Sequence, residues 1–422
     1  MKFSTAKVNI TPAEPIYLGG YGARKSKSTG IYSEIYARTI LLCDGESMAL
    51  IVSLEITGAD REYITRVKKR IVEISGLKEK DIVIHSVHTH SAPAAYIKRR
   101  FPYTSEDEYL EFLEEKIVEC VKSCLSTSQE GQMEVGKGET YIGMNRRQKT
   151  DHGIELAPNP EGPVDRDLFV ITIKDLEDNI KIVLYSCACH PTVLDSDNLY
   201  ITGDFVSPAC REIEKRYQGS MAIFMQGACG DINPATKAGD TKYRQTYFSD
   251  IELTGKVLAN DVYNAIRCGM EKVNVSIRVS LDDIVIPFGE YKTKEFKERL
   301  EKTNNTAVSD YCTSMLEKIK SGYFGKGANF LVGMIEFSGK VRMITLEGEI
   351  CQGIGVDIKS LYDGGYTIIA GYSNGVIGYI PTRDILSEGG YEAVAPYMGY
   401  GLPGPFTENA EDVILKCVKN LK

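Results

Sequence analysis

Apolar and polar positions alternate along the chain in a pattern that predicts interleaved strands and helices. Tyr36 to Cys43 and Ala49 to Ile56 are apolar runs separated by Asp44-Gly45, which reads as a hairpin. Ile64, Val67, Ile71 and Ile74 recur at helical spacing within a predicted helix from Glu62 to Ile74, and Gly76 stands where a helix stops. Asp81 to Ser86 follows as a buried strand. Ser105 with Glu108 is predicted to form the capping box of an amphipathic helix running to Leu125, whose stripe is Leu110, Leu113, Ile117, Val121 and Cys124.

Strands are predicted at Met133 to Gly138, Leu168 to Ile173 and Ile180 to Cys189. Helices from Pro208 to Tyr217 and from Ile251 to Ile266 frame an apolar strand, Ala222 to Met225. Strand-forming sequence around Val273 to Pro287 leads into one charged helix from Lys294 to Lys320. Strands at Leu331 to Phe337 and Val341 to Leu346, a helix from Gly353 to Leu361 and a strand from Thr367 to Ala370 complete the pattern. This is an α/β chain with mixed β-sheets and flanking helices. No Pro/Ser-rich linker, repeat or low-complexity tract divides it, so residues 1–422 are read as one large unit or two intimately packed lobes.

Composition narrows the function classes. Hydrophobic residues at 43% and charged residues at 26% supply a sizeable core and argue against disorder. A net charge of -8 repels a polyphosphate backbone, which excludes nucleic acid as a partner. The longest apolar runs, such as Ala49 to Leu54, are too short to span a bilayer, and Met1 to Asn9 lacks the apolar core of a signal peptide, so a cytoplasmic location is expected. Eleven cysteines spread from Cys43 to Cys417 without repeated spacing fit reduced, buried thiols. A homo-oligomer is compatible with all of this.

Candidate chemistry collects around histidine. Four of the five lie in two short segments, His85, His88 and His90 in one and His190 in the other. On an extended chain His88 and His90 project to one side and His85 to the other. A His-x-His at the end of an apolar strand, where open α/β sheets carry their sites, points to a metal or to catalysis. His190 likewise ends an apolar strand, just before Pro191; on a straight strand Cys187 and Cys189 face away from it and are assigned to the core. Gly203-Asp204, Gln226 to Pro234 and Gly348-Glu349 also follow apolar runs. Each can bring a side chain to the mouth of a sheet or serve as a turn.

The order of these segments resembles that of the neutral/alkaline non-lysosomal ceramidases. The resemblance is carried by Asn9-Ile10-Thr11-Pro12, Gly20-Tyr21-Gly22, Tyr36-Ala37-Arg38, His88-Thr89-His90-Ser91-Ala92-Pro93, Asn145-Arg146, His190, Gly203-Asp204, Gln226-Gly227-Ala228, Gly230-Asp231, Gly348-Glu349, Tyr379 and Thr382-Arg383. It implies a single catalytic domain over residues 1–422, with Zn²⁺ held by His88, His190, Glu349 and Tyr379, the last reached from Asn374 at the family's spacing. It also implies that His90 stands beside the metal-bound water and the substrate; His90 is then expected to protonate the leaving amine, and zinc with Arg146 or Tyr379 to stabilise the oxyanion. Asp204 or Asp231 is expected to orient a ligand histidine.

The expected reaction is hydrolysis of an amide (N-acyl) bond by a metal-activated water. Two departures bear on substrate. Asn233 stands where the family has a serine, and neither a C-terminal immunoglobulin-like domain nor a secretion signal is found. A small N-acyl compound is expected rather than ceramide, because no basic amphipathic segment offers membrane docking. The alternatives are a zinc-dependent esterase or phosphoesterase, or a noncatalytic ligand-binding homologue.

Overall fold

The computed structural model describes residues 1–97, 105–394 and 396–421. One motif occurs three times: two antiparallel strands, a crossover helix, and a third strand that joins parallel. Tyr36–Cys43 and Met48–Leu54 are followed by helix Arg61–Ser75 and strand Ile82–Ser86. Asp167–Lys174 and Ile180–Cys187 are followed by helix Val206–Arg216 and strand Met221–Gln226. Gly327–Ser338 and Val341–Leu346 are followed by helix Gln352–Ser360 and strand Tyr366–Ala370. Parallel pairing requires such a crossover, and the helix covers the sheet face that would otherwise meet water.

The three sheets share a core. Ile51 and Val83 of the first, Ile171, Ile182 and Ile223 of the second, and Ile335, Met343 and Ile368 of the third belong to a single buried cluster. Each such side chain removed from water contributes about 1.5–3 kcal/mol, so the sheets hold one another in place. Polar seams fix their alignment: Ser53 Oγ donates to Phe224 O at 2.9 Å, and Ser186 Oγ to Ile369 O at 3.3 Å. At the carboxyl ends of the strands, Ser86 N donates to Tyr372 O at 3.1 Å, Asn374 N to Ile84 O at 2.7 Å and Gly371 N to Gln226 O at 3.0 Å. The loops that leave the three sheets therefore meet at one end of the shared core.

The mixed α/β expectation holds, and local differences have identifiable causes. The helix expected from Lys294 to Lys320 is two helices, Thr293–Lys302 and Thr306–Lys320. Between them Thr303 Oγ1 and Asn305 Oδ1 accept from the amides of Asn305 and Val308, side-chain bonds that compete with a continuous helix. The capping box at Ser105 does not form: the helix is Asp107–Leu125, and Ser105 Oγ accepts from Tyr96 N and donates to Ala94 O, both at 2.8 Å. The strand region at Val273 to Pro287 divides between two sheets, as Glu271–Val273 and Arg278–Pro287. Strand Lys2–Asn9, the pair Gly143–Thr150 and Gly153–Asn159, and helix Ala410–Asn420 were not anticipated. Among the described residues no helix is long and apolar enough to cross a membrane.

Lys68, on the inner side of helix Arg61–Ser75, is 2% exposed, and its Nζ reaches the Glu79 carbonyl at 3.4 Å. Burial pushes its pKa down to about 8. The unfolded chain keeps this proton up to the ordinary lysine value near 10.5, so between those two pH values unfolding takes up a proton and stability rises with pH. Lys68→Met is expected to stabilise the fold by roughly 1–3 kcal/mol at pH 7. Urea denaturation at pH 7 and pH 10 should find most of that gain gone at the higher value.

Candidate functional site

His85, on strand Ile82–Ser86, belongs to the scaffold. Its Nε2 accepts from Gln226 N at 2.9 Å, its Nδ1 lies 3.1 Å from Ser373 Oγ, and burial pushes its pKa down to about 3. Beyond Ser86 the chain is no longer extended. His88 N donates to Ile56 O, and His88 adopts a left-handed φ of 69°. His88 and His90 nonetheless converge, with Nε2 atoms 3.1 Å apart, and they do so through this kink rather than through strand alternation.

Two imidazoles are locked by main-chain carbonyls. His88 Nδ1 lies 2.6 Å from Thr57 O, and His190 Nδ1 lies 2.6 Å from Cys229 O and 3.1 Å from Ile232 O. A carbonyl only accepts, so each Nδ1 carries a proton and each ring turns its Nε2 away from that carbonyl. Both Nε2 atoms point at Glu349 Oε2, at 3.1 Å from His88 and 3.2 Å from His190. Burial, aided by the Arg146 charge, pushes His190 down to about 4, so at neutral pH its Nε2 is bare. Two imidazole nitrogens and a carboxylate thus meet where water is excluded.

Strand register brings in the phenol. Glu349–Ile350 pairs parallel with Tyr379–Ile380, with Glu349 opposite Tyr379, which places the two side chains as neighbours. Arg146 Nη2 donates to Tyr379 Oη at 3.0 Å, Nη1 to Asn233 Oδ1 at 3.3 Å and Nε to Glu392 Oε1 at 2.8 Å. Burial raises the Tyr379 hydroxyl well above the usual phenol value, and the Arg146 charge opposes that rise. The four residues expected as ligands and Arg146 are therefore linked, directly or through register.

The family model for "Neutral/alkaline non-lysosomal ceramidase, N-terminal" matches residues 4–251, more than half of the chain. The chain belongs to this family. Neutral ceramidase of Drosophila melanogaster is 23% identical over 254 residues and that of Drosophila pseudoobscura pseudoobscura 24% over 255. Each match covers 55% of this chain and 36% of the relative, so it spans about a third of the relatives' length. The crystal structure of neutral ceramidase from Pseudomonas aeruginosa aligns with all of this chain and 73% of its own, with a TM-score of 0.78 at 17% identity. A ceramidase complexed with C2 aligns over 100% of this chain and 74% of its own, with a TM-score of 0.78 at 15% identity. The ceramidase fold is thus shared along the full length, whereas the family match ends before Glu349 and Tyr379.

The third ceramidase-motif histidine differs from the other two. His88, His90 and His190 bring one nitrogen each within 4.8 Å of one another, but His90 Nδ1 is buried without a hydrogen-bond partner among the described residues. Gly20, at φ 87°, lies flat against the His90 ring; a Cβ there would come within 2.3 Å of it. Tyr21 packs edge-on against the same ring at 4.7 Å. The aspartates do not orient the imidazoles. Asp204 accepts from the amides of Val193, Leu194 and Phe205, and Asp231 from Gln352 N, so these carboxylates brace the loops while carbonyls fix the rings. Cys187 and Cys189 are buried, as expected.

Sequence reasoning missed Tyr372, whose ring stacks on His88 at 4.2 Å, and Tyr400, whose hydroxyl donates to Glu349 Oε1. Neither stands in a recognisable pattern. Two imidazole nitrogens, a carboxylate and a phenol form a donor set that fits zinc. Dialysis against Zn²⁺ should load one ion per chain. At a thousandfold excess of free zinc over Kd the fold should gain about 4 kcal/mol, read as a higher Tm, and His190→Ala should abolish the gain.

Proposed function

We propose that the protein is a zinc-dependent amidohydrolase acting on N-acyl compounds. The observation that carries this reading is the approach of the Nε2 atoms of His88 and His190 to the Glu349 carboxylate. His88, His190, Glu349 and Tyr379 are the residues that would hold the ion. Bound zinc supplies Lewis acidity toward a carbonyl and lowers the pKa of water to about 7.

The protein's own groups divide the remaining work. His90 has a free Nδ1 and, kept neutral by burial, is able to take a proton during attack and return it to the departing amine. The carbonyl bonds on His88 and His190 deny those rings the same freedom. Arg146, fixed by Glu392 and Asn233, holds the Tyr379 hydroxyl and places positive charge beside the position where an oxyanion would develop. Asn233 accepts from Arg146, so the departure from the family serine leaves a side chain that supports this guanidinium.

His88→Ala is expected to lose both bound zinc and hydrolysis. His90→Ala should keep the zinc and lose roughly 10²–10⁴-fold in kcat, as expected for a proton-transfer group. Metal analysis together with turnover of short N-acyl amides and of ceramide tests this: hydrolysis by the His88→Ala protein would refute the metal assignment. Faster turnover of the short amides would support a small N-acyl substrate. Tight zinc without turnover of any acyl compound would favour a binding protein.

A further inference from the structure

Helix Val206–Arg216 begins just after Asp204, beside the histidine loops, and runs eleven residues away from them, about 16 Å of helix. Where it ends, it forms a groove of about 390 Å³ with helix Phe248–Cys268. This volume lies within the range of small-molecule sites. The floor is apolar, with Ile213 and Ala259 both buried, and Tyr217 and Tyr263 add aromatic surface.

The rim is cationic in a chain whose net charge is -8. Lys215, Arg216 and Lys256 line it and are exposed, and none of them has an ion-pair partner among the described residues. Glu212 is the carboxylate in the lining. Lys215 and Arg216, in the last turn of their helix, also complement its carbonyl end, an arrangement that requires no ligand. Lys256 lies mid-helix and has no such reason to be there. The Arg216 guanidinium lies over the Tyr263 ring at 3.9 Å, which holds the cation against the floor and leaves its N–H edge to meet an acceptor.

We propose that this groove binds a phosphate monoester, its phosphate between Arg216 and Lys256 and its organic part on the Tyr263 and Ile213 floor. A phosphate monoester carries about −1.5 to −2 charges near neutral pH, which suits three cations set against one carboxylate better than a single carboxylate ligand would. The groove is separate from the histidine cluster, so the inference stands whether or not the chain hydrolyses amides.

Titration calorimetry with phenyl phosphate should give saturable binding of one molecule per chain. Arg216→Gln and Lys256→Gln should each weaken it at least tenfold with unchanged circular dichroism, whereas Lys294→Gln on a distant helix should leave it unchanged. Binding should persist in His88→Ala, which separates the groove from the metal site. Co-sedimentation with phosphatidylcholine vesicles containing phosphatidic acid distinguishes the source: capture there, lost in Arg216→Gln, without phenyl phosphate binding would identify a lipid headgroup as the carrier of the phosphate. Binding to neither, or equal binding by wild type and both glutamine variants, would overturn the proposal.

Discussion

Two imidazole nitrogens and a carboxylate converge on one point inside the protein, and much of the surrounding structure consists of means to hold them there. The Nδ1 protons are committed to the carbonyls of Thr57, Cys229 and Ile232, so neither ring can turn or change tautomer without abandoning a buried acceptor. Tyr400 takes the outer oxygen of Glu349, and Tyr372 covers one face of His88. Backbone strain concentrates in the same place. Among the described residues, His88, Asp204, Tyr372 and Asn374 are four of the five non-glycine residues with positive φ, and all four lie in the loops around the site.

The sheets explain why residues so distant in sequence reach one point. Each motif ends its parallel edge strand near the same end of a common core, and the cross-sheet bonds at Ser86, Gly371 and Asn374 allow no motif to slide relative to the others. The first motif delivers His88 and His90 beyond its third strand. The second delivers His190 beyond its second strand, and the third delivers Glu349 beyond its second and Tyr379 beyond its third. A tripartite scaffold of this kind makes a rigid cluster from loops that would be mobile individually.

Most of the strands and the helices packed on them were legible because burial on one face or both imposes a period on the sequence. His88 and His190 were legible as polar residues closing apolar runs. Glu349 and Tyr379 were not distinguishable from turn residues until the order of motifs suggested a family, because their neighbourhood is set by a two-residue parallel pairing with no periodic signature. The recurrence of the three motifs left no repeat in the sequence: a shared core constrains which positions are apolar and leaves their identities free. The carbonyl locks on the imidazoles were invisible for a related reason, since a main-chain acceptor has no letter of its own. The aspartates were the visible candidates and proved to brace loops.

Arg146 and Tyr379 are 233 positions apart, and His190 and Glu349 are 159 apart. A growing polypeptide therefore leaves the ribosome with its imidazoles made and their acidic and phenolic companions still unsynthesised. The cluster therefore assembles only after translation has passed Tyr379, and until then the buried faces of the imidazole loops have no carboxylate or phenol to pack against.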